Sequence, residues 1–280
     1  MNRMTNNLIN IFVFLAVAMQ PSFAFVPRAR VLTRDAFYST KANVLQEKTS
    51  MTTLNLIGQV TKTSQPAPTP VGKTLLDFFS LPDSAPLILR GSKNNQIVEI
   101  TNPDASLVKA YEERCTEVNA QSPSSDDKFF DVTTSGVDFP GLKVMTVATI
   151  GVNIYLCKKG LPNYQFVLIK DSTYAVGNSI FVWFFNKVTG KDKNKEDEGA
   201  TTQSLNTIRT VPVGDDIAFE ADAYLRVKVK FPSFLMKVIP NGEEKTEETG
   251  GVSLRKVLEA DLPYALDKFR QEYVQWLKSS

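Results

Sequence analysis

The stretch IAFEADAYLRVKVKF, residues 217–231, alternates apolar and polar side chains along most of its length. Ala221, Ala223, Leu225, Val227, Val229 and Phe231 fall on one side, and Asp222, Arg226, Lys228 and Lys230 on the other. A strand turns successive side chains to opposite faces. This period of two therefore predicts a long strand with one face in a core and one in water. Something else in the chain has to cover the apolar face.

The C-terminus offers that cover. Leu254, Leu258, Leu262, Leu266, Phe269, Tyr273 and Trp276 recur at steps of three and four, which draws one apolar stripe along a helix. TGG at 249–251 punctuates its start, and Pro263 is expected to kink or split it near Asp261. Upstream of the opening strand lie more β patterns. KVMTVATIGVNIYL (143–156) sets Val144, Ala148, Ile150, Val152, Ile154 and Leu156 on one side, with Gly151 allowing a bend. YQFVLI (164–169) and SIFVWFF (179–185) are apolar, β-branched and aromatic, as central strands are. NKVTGKDKNKEDEGATTQ (186–203) reads as a charged hairpin loop. DASLVKAYEERCTEV (104–118) predicts a helix capped by Asp104, with Leu107, Val108, Tyr111 and Cys115 on one face, ended by QSPSSDD.

Composition narrows the chemistry. The chain has 280 residues, no histidine and a formal net charge of +2. Lack of histidine removes Ser-His and Cys-His nucleophile pairs, imidazole metal ligands and imidazole proton shuttles. The near-neutral charge gives no field that would draw nucleic acid. No complete phosphate-loop, dinucleotide-binding or nucleophile-elbow motif is present, and GKT at 72–74 lacks the upstream glycine of a phosphate loop. We therefore nominate no catalytic residue, no metal ligand and no cofactor. Cys115 and Cys157 are read as buried free thiols, with a single disulfide as the alternative.

The N-terminus carries addresses rather than fold. LINIFVFLAVAM (8–19) is too short to span a bilayer comfortably. SFA follows it, with Ser22 and Ala24 at the positions a signal peptidase reads. Residues 1–24 are read as a signal peptide, and the mature chain is not expected to be transmembrane. Residues 25–50 carry Arg28, Arg30, Arg34, Lys41 and Lys48 among hydroxylated residues, with Asp35 and Glu47 the opposing acids. That is transit-peptide composition. SQPAPTPVGK (64–73) is Pro-rich and polar, so residues 51–73 are assigned to a linker and 74–280 to one domain.

Two resemblances attach to these stretches. SFAFVP (22–27) resembles the bipartite leader of algae with secondary red-type plastids, such as diatoms, in which Phe follows the cleavage point directly. It implies that Ala24, Phe25 and Pro27 serve targeting and that the protein works in the plastid, in the stroma or at the thylakoid surface. An ordinary secreted protein beginning at Phe25 is the alternative. FPSFLMKVIP, EETGGVSLRKVL and FRQEYVQW resemble the end of a family of cyanobacterial and plastid proteins, domain of unknown function nineteen-ninety-seven. The match falls on Pro232, Leu235, Pro240, Glu247, Thr249, Gly250, Leu254, Leu258, Glu272, Tyr273 and Trp276. That family assigns no catalytic residues.

The order of elements resembles the helix-grip fold of START-like lipid-transfer proteins: an α+β chain whose curved antiparallel sheet wraps a long C-terminal helix. Three functions compete. The first is non-enzymatic binding of an apolar ligand, a lipid or pigment, or support of thylakoid assembly. The second is a polyketide-cyclase-like enzyme using Tyr155, Tyr174, Glu220 or Asp222. The third is an interaction module using the basic stripe Arg226, Lys228 and Lys230 against an acidic partner or thylakoid lipid. We favour the first.

Overall fold

A computed structural model describes residues 51–91, 95–133, 137–139, 142–179, 182, 200–232 and 242–279. In chain order the elements are β1 (Met51–Thr63), β2 (Ala67–Pro68), α1 (Leu75–Phe79), α2 (Ser84–Arg90), β3 (Gln96–Glu99) and α3 (Ala105–Glu117). Then come β4 (Lys128–Thr133), β5 (Val137–Phe139), β6 (Leu142–Leu156), β7 (Pro162–Gly177), β8 (Ala200–Val213), β9 (Asp216–Pro232) and α4 (Gly242–Lys278). All the pairings are antiparallel, in the order β1-β9-β8-β7-β6-β4-β3, with β2 on β9 and β5 on β6.

The opening stretch becomes β9 with the expected alternation. Phe219, Ala221, Ala223, Leu225 and Val227 are buried, while Glu220, Asp222, Arg226 and Lys228 are half-exposed. The buried side faces α4, α1 and α2. There Phe130, Val152, Tyr164, Phe166, Ile208 and Phe219 from the sheet meet Phe78, Phe79, Leu266, Phe269 and Tyr273 from the helices. A smaller cluster joins Leu54, Leu56, Leu225 and Val227 to Leu254. The opposite face of β4 and β7 is covered by α3 through Leu107, Tyr111 and Cys115 on Phe129, Val167 and Ile169. Asp104 caps α3 as expected, its Oδ1 accepting from Leu107 N at 2.8 Å. The sheet with its terminal helix is the helix-grip arrangement, and the sheet and buried clusters close within residues 51–279.

Four expectations are corrected. Residues 51–73 are not a solvated linker. Their first part is β1, paired with β9 from Met51↔Pro232 to Thr63↔Glu220. Leu54, Leu56 and Val60 alternate into the core. The folded unit therefore begins before Thr74. Thr74 is instead the N-cap of α1 and exchanges hydrogen bonds with Asp77.

TGG does not start the last helix, because α4 runs through Thr249, Gly250 and Gly251. Nor does Pro263 divide it. Residues 263 and 264 lie on the exposed side, and the turns beyond are anchored by Leu266, Phe269 and Tyr273, so packing offsets the missing N–H. SIFVWFF does not continue the sheet as far as it is described. Val182 N donates helically to Asn178 O, and β7 ends at Gly177. Residues 180, 181 and 183–185 of SIFVWFF and 186–199 of the charged loop lie outside the described residues, and 200–203 belong to β8.

Candidate functional site

In a helix-grip chain the space between sheet and terminal helix is the first place to look for a ligand. Here one end of that space is packed with rings. Phe269 projects from α4 between Phe78, Phe79 and Phe219, with ring centres 5.0, 5.5 and 4.9 Å away. Phe79 stacks on Tyr164 at 4.7 Å, and Tyr273 stands edge-on to Phe78 and Phe219. These contacts follow from the helix stripe on one side and from two adjacent phenylalanines on the short, capped α1 on the other.

The polar atoms in this cluster are committed to the backbone. The Tyr164 hydroxyl donates to Phe79 O, and the Tyr273 hydroxyl donates to Pro68 O at 2.8 Å. Ser84 Oγ donates to Phe78 O at 2.6 Å. Burial raises both tyrosine hydroxyls above their ordinary range, Tyr273 to about 12. Both therefore stay protonated donors near neutral pH. They pin the end of α1 and β2; they do not exchange protons.

Beyond the packed end a groove opens between the α1–α2 turn and the last turns of α4. Its volume is about 470 Å³. Phe78, Leu81, Pro82, Leu87 and Trp276 form apolar walls, and Asp83, Ser84, Glu272, Gln275 and Ser279 bring polar atoms to it. Lys73 fixes one wall. Its Nζ donates to Trp276 O at 2.8 Å and to Ser279 O, and lies 4.9 Å from the Trp276 ring centre. An apolar cleft with a few polar atoms at the rim can hold a small apolar or amphipathic molecule.

The residues that the cyclase alternative would use do not converge on that groove or on the ring cluster. Glu220 and Asp222 lie on the outer face of β9, where Arg209 meets them at 3.0 and 3.7 Å. Asp222 also accepts from Gln59 and Thr61. Tyr155 is paired in register with Asn163, and Tyr174 with Met145 further along β7. In the basic stripe, Arg226 donates to Asn55 Oδ1 at 3.0 Å, while the Lys230 side chain lies outside the described residues.

Of the positions that carry the resemblance, Tyr273 and Trp276 are in the ring cluster or its wall, and Glu272 lines the groove. Glu247 accepts from Asn55 N, and Gly250 presses on Leu56. Leu235 and Pro240 lie outside the described residues, as do Ala24, Phe25 and Pro27. Cys115 and Cys157 are both free thiols, the first buried and the second half-buried. Among the described residues no acidic and thiol side chains group as a metal site, and no helix is long and apolar enough to cross a membrane. Sequence reasoning missed Phe78, Leu81 and Leu87. The signal for them was the capping box Thr74–Asp77 directly before a double phenylalanine.

No protein-family model matches the chain, and no curated protein does. Solved structures of norcoclaurine synthase from Thalictrum flavum resemble it in fold. The truncated enzyme aligns over 76% of this chain and 97% of its own, at 13% identity and a TM-score of 0.25. The enzyme in complex with dopamine and hydroxybenzaldehyde aligns over 84% and 97%, at the same identity and score. A likeness of that degree carries no argument about activity or ligand.

Proposed function

We propose that this is a non-enzymatic plastid protein that holds a small apolar ligand, a lipid or pigment, in the groove between α2 and the end of α4. The observation that carries this reading is the groove itself: apolar walls from Phe78, Leu81, Leu87 and Trp276, with polar atoms at its rim. The plastid placement rests on the Phe25 leader, and the membership of the plastid family on Glu247, Thr249, Gly250, Tyr273 and Trp276. Glu220 and Asp222 on the outer face favour no cyclase reading.

The test is extraction and mass spectrometry of what remains on the gently purified protein, followed by titration of that compound with Trp276 emission as the readout. Trp183→Phe removes the other indole. Leu87→Phe, which narrows the groove without adding an indole, should weaken binding in a chain that melts like wild type. Unchanged binding in the narrowed groove would place the ligand elsewhere and overturn the reading.

A further inference from the structure

Four of the nine exposed large apolar side chains among the described residues lie at one end of the molecule. Val71 is 92% exposed, Leu156 55%, Val213 43% and Leu81 38%. The register places them together. Leu156 pairs with Pro162 at the β6–β7 turn, and Pro162 O accepts from Thr210 of β8. Three residues further on, Val213 pairs with Asp216 at the β8–β9 turn. The loop holding Val71 is tied to that turn by Thr69 Oγ1, which donates to Asp215 O at 2.7 Å, and to the end of α4 by Lys73. Leu81, on the α1–α2 turn, shares the groove with Trp276 and Ser279 of that same helix end. Exposed apolar residues scattered singly need no explanation, whereas several gathered at one end do.

We infer that this end docks on a lipid bilayer whose headgroups carry no net charge. Two features choose the occupant. The apolar residues stand on separate turns, Val71 next to Gly72 at φ 74. Separate prongs can each enter deformable lipid, but they make no continuous face for a protein partner. The charges among them give no positive excess. Lys73, Lys158, Lys159 and Lys278 stand against exposed Asp77, Asp83, Asp215, Asp216 and Glu272, so the end offers no positive field to anionic headgroups. Insertion would then follow apolar area and not salt. Leu81 belongs to both surfaces, but Val71, Leu156 and Val213 do not line the groove, so variants at those three test this docking apart from the ligand reading.

The test is flotation of a chain beginning at Met51 with phosphatidylcholine vesicles, at low and high salt. Wild type should float at both. Val71→Asp and Val213→Asp should each weaken partitioning about tenfold, the loss of one partly buried valine. Val176→Asp, also exposed but on the far end of β7, should leave it unchanged. All three lie at exposed sites, and urea melts would confirm that each variant folds. No flotation, an equal loss in Val176→Asp, or flotation restricted to anionic vesicles and released by salt would each overturn the inference.

Discussion

Gly251 of α4 stands against Ile57 of β1 so closely that a Cβ at its position would lie 2.8 Å from the Ile57 carbonyl oxygen. One turn on, a Cβ on Gly58 would lie 2.7 Å from Leu254 Cβ, and one on Gly250 would lie 2.6 Å from a Leu56 methyl. Asn55 N, on the same strand, donates to Glu247 of the helix. β1 is an edge of the sheet, and edges left open pair with other chains. Here the first half of α4 lies along that edge, and two glycines let it approach. This gives Glu247 and Gly250 a physical role in joining helix to sheet edge.

Gly251→Ala tests the approach with opposed expectations. Helix propensity alone favours the alanine by about 1 kcal/mol. The clash with a backbone carbonyl, which cannot swing aside, should outweigh it and leave a net loss of about 1–2 kcal/mol. Urea midpoints decide the sign. A stabilised variant would mean that the helix does not rest on β1 as described.

Gly151→Ala asks the same of the opposite face. A Cβ there would collide with the Tyr111 ring, which α3 presses onto β6. The expected loss is about 1–3 kcal/mol. Tyr111→Leu made in the same chain should then cost less than it costs alone, because the two residues share one space. Strictly additive losses would separate Gly151 from Tyr111.

The long strands and the terminal stripe were legible because each repeats its period many times. β9 and α4 needed only the alternation of Ala221 to Val227 and the spacing of Leu254 to Trp276. β1 repeats as clearly, with Leu54, Leu56 and Val60 in alternation, but its third inward position is Gly58 and it adjoins a Pro-rich stretch. That glycine looks like a break in the pattern and is a point of helix contact. The same ambiguity hides Gly250 and Gly251, since a glycine that ends a helix and one that admits a neighbour are spelled alike. Of the groove, Trp276 was legible from the stripe. Its other wall was not, because five-residue α1 is too short to show a period.

Asp127 should make stability depend on pH in an uncommon direction. Burial is the largest influence on its carboxyl and raises its pKa, against the bonds donated by Ser124 N and Asn153 Nδ2. The folded chain then holds this proton to higher pH than the unfolded chain, whose aspartates titrate near about 3.9. From that value up to the raised one the folded state binds more protons, so this group's contribution falls as pH rises, and then levels. Asp127→Asn removes the effect. The midpoint difference between variant and wild type should therefore move in the variant's favour as pH rises through the window. Movement the other way would show that the two donated bonds outweigh burial.

Residues 1–50 fused to a fluorescent protein should enter the plastid of an alga with a secondary red-type plastid. Phe25→Ala should hold the fusion in an outer compartment. Import of the variant at the wild-type level would remove the reading of SFAFVP as a bipartite leader.

Trp276 joins the ring cluster to the groove, and its removal separates packing from ligand binding. Its ring lies 5.5 Å from Phe78 and 5.9 Å from Tyr273, and its carbonyl accepts from Lys73. Core tryptophan truncations cost about 3–5 kcal/mol. Trp276 is half-buried, so Trp276→Ala should fall at the lower end, about 3 kcal/mol. A frayed helix end would give a loss within about 0.5 kcal/mol. Trp276→Phe retains a ring against Phe78 and Tyr273 and should recover most of the stability, since aromatic contacts are tolerant of ring identity where area is kept. If the groove holds the ligand, Trp276→Phe should fold like wild type and still bind more weakly, because the smaller ring forms less of the wall. Urea midpoints, and the amount of ligand retained on each variant by mass spectrometry, therefore read different quantities. Equal midpoints for wild type and Trp276→Ala would detach the end of α4 from the core, and with it the wall on which the groove depends.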